Sequence, residues 1–258
     1  MRSFKIVIGA AFFAALSSVF LMSRVSVARA DDTCALTPAD FDKITTVQND
    51  PTLSTSEEIT QELAVRKQLI IQTIACAQTE VASLQSTLAN ATTTDGSGNI
   101  QSQLLSDLND ASNFYTIEES KLDGVGISGS KAIVREIIAW RAGTYAPLEG
   151  NVNNYLLWTQ NQPLFDTAQS RMDQTQRAVA FIESASASPD LENAFNAAYA
   201  SFQTAKEENN EAENALAQSL SPDQSLALIK QSLDSLSDTY QGFFAISDAI
   251  NSLLPQAQ

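Results

Sequence analysis

Residues Ser130 to Ser184 read SKAIVREIIAWRAGTYAPLEGNVNNYLLWTQNQPLFDTAQSRMDQTQRAVAFIES, and apolar residues recur at helical spacing through the whole stretch. Unbroken, such a helix runs roughly 80 Å at 1.5 Å per residue. Two prolines decide its course. A proline ring collides with the carbonyl four residues back, and Pro147 finds Gly143 there, so a kink is expected near 143–147. Pro163, in Asn161-Gln162-Pro163, is the place where the helix would break if the chain folded into a shorter bundle instead.

The segments on either side are helical too. Cap-plus-proline starts stand at Thr37-Pro38, Ser188-Pro189-Asp190 and Ser221-Pro222-Asp223, and Ser54 with Glu57 has the spacing of a capping box. From there Leu63, Ile70, Ala77 and Leu84 interleave with Ile74, Val81 and Leu88 at steps of three and four. Leu104, Leu108, Ala111, Tyr115 and Leu122 follow the loop Ala91–Asn99. Leu191 to Leu216 and Leu226 to Leu254 repeat the pattern, and strand signals are nearly absent. The expected fold is all-α, built of long antiparallel amphipathic helices. Because the 130–184 helix would outrun both neighbours, the favoured arrangement is two tandem three-helix bundles sharing one long kinked helix, residues 56–160 and 161–258. A single up-and-down bundle is the competing arrangement.

The amino end has a different character. Arg2 and Lys5 precede the apolar run Ile6–Met22, and Ala28-Arg29-Ala30 places small residues where a signal peptidase reads, so residues 1–30 are expected to be a secretory signal cut after Ala30. The run is also long enough to serve as an uncleaved membrane anchor. Export implies an oxidising compartment, and the chain's two cysteines, Cys34 and Cys76, then have one possible pairing. That disulfide would tie an arm, residues 31–55 with a short helix from Pro38 to Val47, onto the first long helix. Cys76 stands seven residues after Leu69, so Phe41 and Ile44 of the arm are expected to dock on the flank those two share.

Composition excludes more than it selects. With 15 basic against 30 acidic residues, the net charge of −15 repels phosphate backbones, so no nucleic acid is expected. The chain has no histidine, which removes the commonest general base and metal ligand along with every Ser-His or Cys-His arrangement. Asp95, Ser97 and Asn99 are spaced like the start of a calcium loop, but Ile100 and Ser106 occupy the positions that need glycine and a bidentate acid. No enzyme, cofactor or metal site is expected.

One cluster stands above this background. Trp140, Tyr145, Tyr155 and Trp158 fall within IIAWRAGTYAPLEGNVNNYLLW and mark a possible binding surface at the bend. The stripe Val134, Ile138, Tyr145, Leu148, Val152, Tyr155 cannot hold both tryptophans. Trp140, beside Ile133 and Ile137, is expected to be core, and Trp158, followed by Thr159-Gln160-Asn161, to be the more exposed. The leading expectation is a non-catalytic structural or interaction protein of the bacterial envelope or exterior, partnered by another envelope or extracellular protein and touching a membrane only if the amino-terminal segment is kept. The alternative is a bundle that binds a small ligand or glycan at the aromatic kink, residues 140–158.

Overall fold

The computed structural model describes residues 38–92, 97–185 and 188–253, and every regular element among them is helical. The elements are α1 (Pro38–Gln48), α2 (Thr55–Ala89), α3 (Gly98–Ser120), α4 (Ile127–Trp140), a π turn (Arg141–Tyr145), α5 (Ala146–Ala185), α6 (Pro189–Ala217) and α7 (Pro222–Leu253). Three of the expected caps are in place, and the fourth, Thr37, lies outside the described residues. Ser54 and Glu57 complete the reciprocal capping box of α2, Ser188 accepts from the Leu191 N–H at the start of α6, and Ser221 accepts from the Gln224 N–H before α7.

The break at Asn161–Pro163 that the competing arrangement calls for does not occur. α4, the π turn and α5 follow one another without a gap, and α5 runs straight through Pro163. A helix of roughly 90 Å results at 1.5 Å per residue. Polar side chains add hydrogen bonds to the backbone around the proline: Gln162 Nε2 donates to the Trp158 carbonyl at 2.9 Å, and Thr167 Oγ1 donates to that of Pro163 at 2.7 Å.

Where a kink is expected near Pro147 the helix carries the π turn, closed by the Ala146 N–H donating to the Arg141 carbonyl five residues back. A wider turn makes room upstream of a proline that cannot donate. It also inserts one residue into the helical phase. Counting back from Tyr145 with an uninterrupted α-helix gives Ile138 and Val134, the stripe expected from sequence. The buried residues are instead Ile137 and Ile133, while Ile138 is 62% and Val134 37% exposed. That part of the expected stripe is therefore corrected by one position.

Two groups of buried side chains line the long helix. The first joins α2, α3 and α4 with the π turn and α5 as far as Trp158, and it takes in Ala212 and Leu216 of α6 and Ile229 of α7. The second joins α5 from Phe165 to Val179 with the remainder of α6 and α7. The turn between α6 and α7 is fastened to α5 beside the first group: Asn154 Nδ2 donates to the Pro222 carbonyl at 2.7 Å and to Ser225 Oγ at 2.9 Å. Gln162 and Asn209 exchange amide hydrogen bonds, each 3.2 Å, in the interior between α5 and α6. An amide pair satisfied in both directions fixes the register of two helices, because any slip strands two buried polar groups.

α1 packs on α2. Gln48 at its end bonds to Glu62, and Phe41, two turns earlier, shares a groove with Leu69 and Thr73, so α1 runs back along α2. Cys34 and the whole of residues 1–37 lie outside the described residues. Cys76 is partly buried on α2, one turn beyond Thr73.

α6 and α7 approach closely on small residues. Leu191, Ala198, Ala205 and Ala212 recur every seven positions in α6, as do Ser225, Ser232, Thr239 and Ile246 in α7, and all eight are buried. At the crossing, a Cβ added to Gly242 would come within 2.5 Å of Ala198 Cβ and 2.9 Å of its Cα. Gly242→Ala is therefore expected to destabilise by about 1–3 kcal/mol, because the backbone of α6 must move. Gly143→Ala, with nothing within 4 Å, should be neutral or stabilise by up to about 1 kcal/mol. Denaturant unfolding of the two variants gives the comparison.

Candidate functional site

The π turn places Arg141 and Tyr145 against two helices of the first core. Arg141 Nη1 donates to Tyr115 Oη at 2.8 Å and Nη2 to Glu80 Oε2 at 2.9 Å, while its guanidinium carbon lies 4.8 Å from the Tyr145 ring centre. One cation thus links α2, α3 and the turn through an ion pair, a phenol and a ring face. Around it the aromatic rings pack in series. Trp140 stacks on Phe114 with centroids 4.0 Å apart and planes inclined by 12°, and it meets Tyr115 edge-on at 5.4 Å. Tyr145 lies 6.0 Å from Trp140 and 6.4 Å from Tyr115.

The other two expected rings form a second pair lower on α5. Tyr155 and Trp158 lie 6.2 Å apart, and Tyr155 Oη donates to the Ser97 carbonyl at 3.3 Å, which anchors the start of α3. Tyr145, Tyr155 and Trp158 are buried and Trp140 is partly buried, so the expected ranking of the tryptophans is reversed. Trp158 is only 3% exposed. The polar residues after it did not signal a solvent face. Thr159 and Gln162 are buried as well, spending their hydrogen bonds on helix carbonyls and on Asn209. Trp140 remains partly open because it lies beside the residue inserted at the π turn.

Burial also changes the titration of this cluster. It raises the Tyr145 and Tyr115 phenols above their ordinary range, with the Arg141 charge working in the opposite direction. Burial, and then the nearby Glu80 carboxylate, raise Glu149 above the usual carboxyl value, again with Arg141 opposing. Sequence spacing identified the aromatic members on the long helix and placed Tyr115 on the α3 core stripe, but Glu80, Phe114 and Arg141 were missed. A lone arginine directly after a buried-type tryptophan was the available signal. Chemically, the arrangement is a closed knot whose cation is spent on internal partners.

Among the described residues, no group of three or more histidine, cysteine, aspartate or glutamate side chains is placed to hold a metal. Asp95 of the calcium-like spacing lies outside them. No described helix is long and apolar enough to cross a membrane. Comparison with protein-family models, with curated proteins and with solved structures finds no match.

Two outcomes test this reading of the cluster. Trp158→Ala should cost about 3–5 kcal/mol in denaturant unfolding and Trp140→Ala clearly less; equal losses would contradict the burial ranking. Glu149 binds its proton more tightly folded than unfolded, so its contribution to stability is greatest at low pH. That contribution is lost as pH rises from the unfolded value of about 4.5 through the raised folded one. Glu149→Gln should therefore be more stable than the native chain at pH 7, with the difference shrinking as pH falls toward 4.

Proposed function

We infer that the chain is exported across the cytoplasmic membrane and acts, without catalysing a reaction, as a helical structural or protein-interaction protein of the bacterial cell envelope or exterior. The observation that carries this reading is the location of its exposed rings. Three of the four rings of the predicted aromatic cluster are buried. Phe181 on α5, Tyr199 on α6 and Phe244 on α7 instead present large apolar side chains to solvent, one from each helix of the second core. Phe181 is 77% exposed. Exposed aromatics on a long rigid scaffold are the groups from which protein contacts draw most of their energy.

Export rests on the basic-apolar-small order of residues 1–30. The course of α1 back along α2 supports the Cys34–Cys76 bridge, because Cys34 precedes α1 by four residues and Cys76 lies one turn past the stretch where Phe41 docks. By the loop-entropy model such a bridge is worth about 4 kcal/mol. The packing of Tyr145, Tyr155 and Trp158 weighs against the alternative of a ligand or glycan held at the bend.

The test is affinity capture by the full chain from exported fractions, with photo-crosslinking from position 181, 199 or 244. A discrete protein adduct is expected, formed saturably and lost from the triple variant Phe181→Ser, Tyr199→Ser, Phe244→Ser while the thermal melt stays within a few degrees. A partner captured equally by the triple variant, or no adduct from any position, rejects the reading.

A further inference from the structure

The shift of phase at the π turn has a second effect on the surface. By burying Ile133 and Ile137, it turns Val134 and Ile138 outward, and α1 contributes Phe41, 53% exposed, from the opposite side. Together with Ile44, Leu69 and Ile70 these side chains line an open groove of about 710 Å³ between α1, α2 and α4. Its volume lies in the range of about 300–1,000 Å³ typical of small-molecule sites.

The charge of the groove is opposite to that of the chain. Acids outnumber bases two to one in the sequence, yet among the described residues the charged side chains lining this groove are Arg66, Lys131 and Arg135, with no carboxylate. Arg66 is held by Glu62 at 2.6 Å. Lys131 and Arg135 are one helical turn apart on α4, and no ion pair within 4.0 Å reaches either among the described residues. Glu62 lies within electrostatic reach of Lys131 but is committed to Arg66. Arg135 spends its Nε on the Lys131 carbonyl, which leaves the two terminal nitrogens of its guanidinium for a planar anion.

We propose that this groove binds a single-chain amphiphile with a carboxylate head, a fatty acid, its tail on the aliphatic floor and its carboxylate on Lys131 and Arg135. Size favours a small ligand over a protein partner. The lining covers about two turns of α2 and of α4, roughly 11 Å. A stable protein interface takes about 20–30 residues on each side. The assignment concerns a different surface from the exposed rings of the second core and does not depend on that reading.

The experiment is calorimetric titration of the full chain with dodecanoate below its micelle concentration, compared with dodecyltrimethylammonium, which keeps the tail and reverses the head, and with butyrate, which keeps the head alone. The net charge of −15 favours the cation at long range, so a preference for the carboxylate has to come from the groove itself. One equivalent of dodecanoate is expected to bind at least about tenfold more tightly than the cationic amphiphile, with no measurable butyrate binding. Lys131→Gln with Arg135→Gln should weaken dodecanoate about tenfold or more. Ile138→Glu, at an exposed helical position, should abolish binding with the helical circular dichroism unchanged. The proposal is overturned if dodecanoate does not bind or if both heads bind equally. It also fails if binding survives Ile138→Glu, which places the amphiphile elsewhere on the chain. A native chain that is dimeric and ligand-free, and becomes monomeric on Ile138→Glu, assigns the groove to a second copy instead.

Discussion

A missing N–H group governs much of this molecule. Pro147 cannot donate to the turn before it, and its ring needs space there. The helix meets both demands by widening over Arg141–Tyr145 without breaking. Everything upstream is thereby rotated by one residue relative to everything downstream. The rotation brings Ile133 and Ile137 onto α2 and α3, swings Arg141 inward to Glu80 and Tyr115, and leaves Val134 and Ile138 outside. A single imino acid thus sets the first core, its internal cation and the groove on its flank.

Between α5 and the α6–α7 hairpin the interior is polar by construction. Asn154, Gln162, Asn209 and Ser225 are all buried, and they bond to one another or to a carbonyl. Hydrophobic contact alone would let α6 and α7 slide along α5, since long amphipathic stripes match at several offsets. Paired amides do not, because each misalignment leaves donors and acceptors dry. Close contact of α5 with the α6–α7 turn adds a steric stop: a Cβ on Gly150 would stand 2.7 Å from Pro222.

The fold was largely legible because helical periodicity is redundant. Leu104, Leu108, Ala111, Tyr115 and Leu122, like Ile70, Ile74, Ala77, Val81, Leu84 and Leu88, are buried as their spacing requires. Two kinds of information were not local enough to read. The phase error at Val134 and Ile138 came from assuming a constant 3.6-residue period across a turn that departs from it. The misplacement of Trp158 came from treating Thr159, Gln160 and Asn161 as solvent markers, when Thr159 is buried and donates to the Leu156 carbonyl on the neighbouring turn, and Gln162 beyond them is buried against a helix nearly fifty residues away. Half of the α6–α7 seam was likewise hidden: the α6 stripe from Leu191 to Leu216 showed in its spacing, but Ser225, Ser232 and Thr239 of α7 give no hydrophobic signal. The candidate site was half legible: the rings on the long helix were found, but Glu80, Phe114 and Tyr115, which complete the cluster, come from distant segments.

The small-residue seam also has a kinetic consequence. α6 and α7 are consecutive, joined by four residues, and their closest contacts need only that short loop to close. Little chain entropy is lost in bringing them together. The long helix has no such advantage, since its two halves are buried by elements on opposite sides in sequence, α2 and α3 before it and α6 and α7 after it. The α6–α7 hairpin is thus suited to form first and open last, and the central helix reaches full length only after both flanks have supplied it with partners.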